Sequence, residues 1–284
     1  MIVIDFSQIC IAGYMQIAKH SIDKSVDVEA FRHVALNSIR AINMKFRNFT
    51  DYSRLVIAVD APKSWRKQIF PFYKANRKKD KDASPVDWAQ LFQCIKTVEQ
   101  ELIEYFPYQV IQIRGAEADD VIGSLARYNN EQNRYMMIVS GDKDFIQLQR
   151  TNLIRQYDNV HDHTIEHSNP QRYLFEHVMK GDRGDGIPNV LSPDNAFVVG
   201  IRQKPMRQTK LDLWWENGIE KDVVNPEYLK RNRRLIDLSC TPAPIYDQVV
   251  QQVDQFDTTK KCDIYAYLVR HQLRNLAGHL GDFR

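Results

Sequence analysis

Four short aliphatic runs in this chain each lead into a carboxylate, and that pairing narrows the possible folds more than any other feature. The runs are Ile2-Val3-Ile4 before Asp5, Leu55 to Val59 before Asp60, Val110 to Ile113 before Glu117, Asp119 and Asp120, and Tyr135 to Val139 before Asp142 and Asp144. Continuous aliphatic runs separated by helical segments read as strands of a mostly parallel α/β sheet. In such a sheet the strand ends meet at one rim, where ligands bind. Acids crowded there repel one another unless cations offset them. Oxygen donors without a neighbouring His or Cys suit Mg²⁺ or Mn²⁺ rather than Zn²⁺. Helix capping accounts for Asp119 or Asp120, since acids are common at helix N-termini. It does not account for acids after four strands.

Periodicity fills in the rest. Helices are expected over Val28 to Phe49, Asp87 to Phe106 and Ala116 to Tyr128, with a short one ending at Leu148. Leu153 to Tyr157 reads as a fifth strand at the sheet edge. From about Pro170 the pattern turns helical, with Gln171 to Met179, Tyr228 to Leu238, Pro244 to Val253 and Cys262 to Leu280. This divides the chain into an α/β domain over 1–168 and a smaller helical lobe over 169–284 with a helix-turn-helix-like region. Between the first two lobe helices lies Lys180-Gly181-Asp182-Arg183-Gly184-Asp185. Its acids read equally well as ligands or as a capped tight turn.

Charge is distributed unevenly although the net is only +3 over 284 residues. Residues 62–81 hold eight cations (Lys63, Arg66, Lys67, Lys74, Arg77, Lys78, Lys79, Lys81) against Asp80 alone, with Trp65, Phe70, Phe72 and Tyr73 interleaved. The stretch is too long for an ordinary βα loop and too basic for a core, so a projecting arch over about 62–86 is expected. Cations alternating with aromatics favour nucleic acid as its ligand. Arg202, Lys204, Arg207 and Lys210 form a second run. For a third, Lys230 to Arg234, a solvated face and a phosphate contact weigh equally. Acid clusters with separate basic segments are what a metal-dependent enzyme acting on a polyanion needs. Cys10, Cys94, Cys240 and Cys262 form no CxxC pair and read as free thiols of a reducing cytoplasm. No apolar run approaches the roughly 20 residues of a membrane span. The eight histidines, His177 among them, are scattered and read as surface or core residues.

The ordered set Ile4-Asp5-Phe6-Ser7, Ala58-Val59-Asp60, Phe72-Tyr73-Lys74-Ala75-Asn76-Arg77, Gly115 to Asp120, Ser140 to Phe145 and Lys180 to Asp185 resembles the 5′ nucleases of the flap endonuclease family. The resemblance covers nearly the whole chain. Arg233 to Leu238 and Asp263 to Val269 look most like its T-even phage ribonuclease H branch. It implies a PIN-like α/β fold with a helical arch, and a 5′→3′ nuclease that removes lagging-strand RNA primers from RNA–DNA hybrids and cuts nicked or branched duplex DNA. It also implies two Mg²⁺ ions, replaceable by Mn²⁺. Asp5, Asp60, Glu117, Asp119 and Asp120 would surround the first, and Asp182 with Asp185 would complete the second. Asp142 and Asp144 would stand between them.

Catalysis would rest on Asp60, Asp120, Asp142, Asp144, Lys74 and Arg77. Nucleic acid would meet Arg66, Lys67, Tyr73, Lys74, Arg77, Lys78, Lys79, Arg202, Lys204 and Arg207. A cytoplasmic monomer working beside a single-stranded-DNA-binding protein and other replication proteins is expected. The family's Gly-x-Gly loop, often a potassium site, has no glycines here, where the stretch is Asn189 to Asn195. Two other readings remain open. A PIN-like endoribonuclease would need neither arch nor lobe, and a non-catalytic branched-DNA binder would use the same basic surfaces.

Overall fold

The computed structural model describes every residue except 19–26, 50–53, 85, 221–223 and 284. Elements run in the order β1 (Ile2–Asp5), α1 (Phe6–Ala18), α2 (Val28–Phe46), β2 (Leu55–Ala58), α3 (Trp65–Ile69), α4 (Arg77–Asp82), α5 (Trp88–Tyr105), β3 (Gln109–Ile111), α6 (Ala118–Glu131) and β4 (Met136–Val139). A 3₁₀ turn, Lys143–Leu148, leads to β5 (Ile154–Asp158) and β6 (His163–Ile165). The helices α7 (Pro170–Lys180), α8 (Gln208–Asn217), α9 (Pro226–Ile236), α10 (Ala243–Asp254), α11 (Ile264–Arg270) and α12 (Arg274–Ala277) follow. Local chemistry sets many of these boundaries. Asp27, Asp87, Asn169, Asn225 and Asp263 accept backbone N–H groups at the starts of α2, α5, α7, α9 and α11, and Pro170 and Pro226 open α7 and α9.

The sheet has the strand order β3-β2-β1-β4-β5-β6, parallel except for the β5–β6 pair. Alternation along the strands loads both faces. Ile2, Ile4, Ile57 and Val139 pack with α1, α2 and α5, whereas Val3, Val56, Ala58 and Ile138 pack with α6 and α10. β5 therefore lies inside the sheet, and the edge belongs to β6, whose His163-Thr164-Ile165 carries no aliphatic signature. The helix expected over Cys262 to Leu280 is broken at Gln272, which takes a positive φ of 55°. The unforeseen α8 buries only Leu211 and Trp214 and so shows little periodicity.

The C-terminal half divides by where it packs. α7, α8 and α9 have their own apolar centres, one around Leu174, Val178, Ile187 and Leu235 and another around Met179, Val190, Leu211 and Trp214. Residues from 243 on return to the sheet. Ile245, Val249 and Val253 join one face, and Ile264, Tyr267, Leu268, Leu276 and Phe283 join the other. No helix among the described residues is long and apolar enough to cross a membrane.

Candidate active site and metal centre

The chain passes from β1 to β2 and β3 on one side, then crosses to β4 and β5 on the other. The crevice between β1 and β4 is thus the topological switch point, where open α/β sheets bind ligands beyond the strand ends. Asp5 ends β1 at this point, 7% exposed. It accepts the Gln8 backbone N–H (3.2 Å) and the Ser140 hydroxyl from the β4 side (3.3 Å). Gly141 lets the two sides come close, since a Cβ there would lie 3.0 Å from Gln8 Nε2. Asp60, after β2, accepts the Ala118 N–H at 2.9 Å, and Asp142 accepts the Asp144 N–H at 2.9 Å.

Asp5, Asp119 and Asp144 hold protons unusually well. Burial, then Asp60 and Asp142, push Asp5 up to about 7. Burial and the charges of Asp142, Asp5 and Glu117 raise Asp119 well above its ordinary range although Lys74 opposes them. Burial followed by Asp142 lifts Asp144 to about 7, against the opposing effect of His177. Acids driven toward protonation by one another are a donor set short of cations. A divalent ion offsets that repulsion, and the mainly oxygen donors suit a hard ion. The residues present fit the metal centre expected from the sequence.

Glu117, Asp120 and Asp185 are held differently. Arg66 is 2% exposed; its Nη1 donates to Glu117 (3.0 Å) and Asp120 (2.8 Å), and its Nε to the Leu235 carbonyl (2.9 Å). Asp120, fully buried, also accepts the Trp65 indole N–H (3.1 Å), the Glu117 N–H (2.9 Å) and the Thr241 hydroxyl (2.9 Å). Three donors meet Asp120 Oδ2 and the Thr241 hydroxyl meets Oδ1, so Asp120 anchors the rim from beneath. The expected places of Arg66 and Tyr73 are corrected. Tyr73 is 2% exposed, and its hydroxyl lies 2.8 Å from Glu117 and 2.9 Å from Asp185, its one proton shared between them. Neither presents a surface to nucleic acid.

The first half of the expected arch is therefore packed rather than projecting. Trp65, Phe70 and Tyr73 are buried, because distant carboxylates neutralise the neighbouring cations, α7 and α9 cover Phe70 and Tyr73, and Trp65 joins the sheet face that carries α6. Lys74, in the left-handed region at φ 55°, donates its N–H to the Asp185 carbonyl (2.8 Å), and its ammonium contacts Glu117. Arg77 Nη2 lies 2.6 Å from Asp185. Despite burial, Lys74 and Arg66 hold Glu117 below the usual carboxylate range. Lys78 and Lys79 belong to α4, and their side chains lie outside the described residues.

Asp182 and Asp185 part company. Asp182 does cap its turn by accepting the Asp185 N–H (2.9 Å), yet its other oxygen lies 3.2 Å from His177 Nε2. His177 Nδ1 is in turn 3.4 Å from Asp144. Asp144, His177 and Asp182 bring their donor atoms within 4.8 Å of one another. From sequence alone His177 reads as a surface or core residue; its one signal is its position on the last turn before the acid pair. Asp185 instead joins Tyr73, Lys74 and Arg77.

Lys67, Arg202, Lys204 and Arg207 are exposed, as a phosphate-binding surface requires. Arg231, from the third basic run, is a clamp instead. Its guanidinium donates to the Pro188 (2.8 Å), Asn189 (3.2 Å) and Ser192 (3.4 Å) carbonyls and pairs with Asp194 (2.5 Å). The glycine-free loop is thus fixed by side chains, and Asn189 Nδ2 ties it to the Lys204 carbonyl (2.7 Å).

Known proteins share this plan. The family described as 5′-3′ exonuclease, N-terminal resolvase-like domain, matches residues 1–177, and the C-terminal domain of T4 RNase H matches 169–283. Ribonuclease H of Enterobacteria phage T4 is 28% identical, with 99% of this chain and 94% of that protein aligned. A 5′-3′ exonuclease of Buchnera aphidicola is 28% identical over 54% of this chain and 53% of its own length. Among solved structures, the bacteriophage T5 flap endonuclease in a complex with DNA and metal ions has a TM-score of 0.61 at 16% identity, covering 89% of this chain and 99% of its own. T5 5′-exonuclease with bound zinc has a TM-score of 0.60 at 15% identity, over 89% and 98% of the two chains. With both family patterns matched in order along the chain and an acid rim at the sheet's switch point, the protein belongs to the 5′-3′ exonuclease family of nucleases.

Proposed function

We propose that this nuclease hydrolyses phosphodiester bonds near free 5′ ends of RNA–DNA hybrids and of flap or nicked duplex DNA, using two Mg²⁺ ions, and so removes RNA primers during replication. The observation that carries the reading is the cluster of acids across the β1–β4 crevice, flanked by cations wired to the neighbouring acids Glu117, Asp120 and Asp185. Asp5, Asp60, Asp119 and Asp142 would hold one ion, and Asp144 with Asp182 the other. When bound by these residues, the ions would supply Lewis acidity, for activating water and for offsetting charge on the departing oxygen. The chain's own residues do the rest. Asp120 and Arg66 fix the first turn of α6 so that Asp119 faces the crevice, and Tyr73 fixes Glu117 against Asp185.

Lys74 and Arg77, paired with acids at the rim, stand where an incoming phosphate would exchange those acids for its own oxygens. Exposed Lys67, Arg202, Lys204 and Arg207 would grip the backbone outside the site, giving affinity without sequence preference. The resemblance to a T4 ribonuclease H along 99% of the chain supports the primer substrate.

The test uses a 5′-labelled RNA–DNA hybrid, a 5′ flap duplex and a circular single-stranded RNA, each with Mg²⁺ or chelator. Cleavage of the first two, in Mg²⁺ only, is expected. Efficient cutting of the circle would favour the endoribonuclease reading.

A further inference from the structure

His177 has an arrangement that a purely structural histidine does not need. Its Nε2 lies 3.2 Å from Asp182 Oδ2, so an Nε2–H donated there fixes the tautomer. That leaves the Nδ1 lone pair facing inward. Nδ1 is buried and has no hydrogen-bond partner, yet Asp144 Oδ1 lies only 3.4 Å away. Two electron pairs turned toward each other at that distance call for positive charge between them, a proton or a metal ion. The spacing suits the ion, because donors at right angles around it with bonds of about 2.1 Å lie about 3.0 Å apart, and a slightly wider angle reaches the observed separation. A ligating imidazole that donates its second N–H to a carboxylate is the usual outer arrangement of a metal-bound histidine. Here Asp182 provides that carboxylate.

We infer that His177 ligates, through Nδ1, the divalent ion held beside Asp144, while Asp182 holds the ring from its far edge, so the second metal position carries a nitrogen donor that the first lacks. The inference rests on the metal-centre reading above and adds a ligand to it. Imidazole raises a site's preference for Mn²⁺ and later transition metals over Mg²⁺. The two positions therefore differ in metal preference, the second taking Mn²⁺ at lower concentration than an all-oxygen site would. Because α7 carries His177 and also leads into the acid turn, ligation would tie the helical lobe to the sheet whenever an ion is bound.

Mn²⁺ alone, added to the substrate-free full chain, is the probe. Pulsed electron paramagnetic resonance of the wild type should detect a directly bonded nitrogen, identified as histidine by isotope-labelled histidine. The coupling should vanish in His177→Gln and His177→Asn and persist in His167→Gln, a nearby histidine outside the cluster. Titration calorimetry should find Mn²⁺ affinity at one of two positions weakened by about tenfold or more in His177→Gln. Mn²⁺ bound without nitrogen coupling, or coupling that survives both His177 variants, would overturn the inference and leave the metal centre standing. In that case His177 only bridges two carboxylates as a cation. Failure of the wild type to bind Mn²⁺ at all would overturn both readings. The wild-type spectrum decides the matter even if the variants do not fold.

Discussion

On the first turn of α6 the side chains of Asp119 and Asp120 leave the helix about 100° apart, and the two acids enter different surroundings. Asp119 is repelled by Asp5 and Asp142 across the crevice, while Asp120 lies beneath, held by Arg66, Trp65, Thr241 and a backbone N–H. Substitutions should separate these roles. Asp119→Asn should lower the single-turnover cleavage rate by at least about 100-fold with no loss of melting temperature. Asp120→Asn should cost about 1–3 kcal/mol of stability in thermal melts and leave metal binding intact. Equal loss of metal binding in both variants would return Asp120 to the ligand set.

Protonation gives a second test at this scale. Asp5 and Asp144 bind protons more tightly in the folded chain than in the unfolded one, with values of about 7. The folded state is therefore favoured by protons over that interval. In chelator, stability from these two groups should be present near pH 4 and lost as the pH rises toward 7. Saturating Mg²⁺ should abolish the loss. Melting temperatures followed from pH 4.5 to 7.5 with and without the ion check this, and an identical profile in both would contradict it.

At the scale of elements, the acid turn and the base of the arch form one mechanical piece. Lys74 N–H bonds the Asp185 carbonyl, and Gly186, at φ 71°, lies so close that a Cβ would sit 2.9 Å from the Phe72 carbonyl. Gly186→Ala should push the two segments apart and slow cleavage far more than it weakens DNA binding. Matched rate and binding losses would mean the contact only stabilises the fold. The exposed run 202–207 belongs to a different function. Arg202→Ala with Lys204→Ala should weaken binding and reduce the slope of log affinity against log salt by about 1.4–1.8, with single-turnover chemistry preserved at saturation.

How legible this was depended on how local each signal is. An aliphatic run followed by an acid is a local pattern, so β1, β2, β3, β4 and their acids could be read directly. The fates of Arg66 and Tyr73 could not, because their partners come from 44 to 169 residues away. A basic, aromatic stretch looks exposed until those distant acids are placed beside it. His177 escaped for a related reason, since its two carboxylates come from the 3₁₀ turn after β4 and from the turn after α7.

Over the whole molecule, the chain from 243 on completes the cores of the α/β body, so the two regions share apolar centres. Leu268, fully buried among residues of α2, α5 and the sheet, should cost about 2–5 kcal/mol when replaced by Ala and lower a single cooperative melting transition. Two separated transitions would instead mark an independent C-terminal unit. This arrangement also explains how an acid turn outside the sheet reaches the rim. α7 stands against the turn after β4, and α9 packs beside it, with Asn232 holding the Val178 and Pro188 carbonyls at 2.8 and 2.9 Å.

The central claim is that the rim between β1 and β4 is a divalent-metal centre that cuts nucleic acid. Single-turnover cleavage of a 5′ flap duplex, followed as Mg²⁺ is titrated from chelator upward in the wild type and in Asp142→Asn, tests it most directly. The predicted result is no cleavage in chelator, a rise with Mg²⁺ in the wild type steeper than one ion would give, and a rate at least about 100-fold lower in the variant at every concentration. Cleavage that persists in chelator, or a variant as fast as the wild type, would contradict the claim.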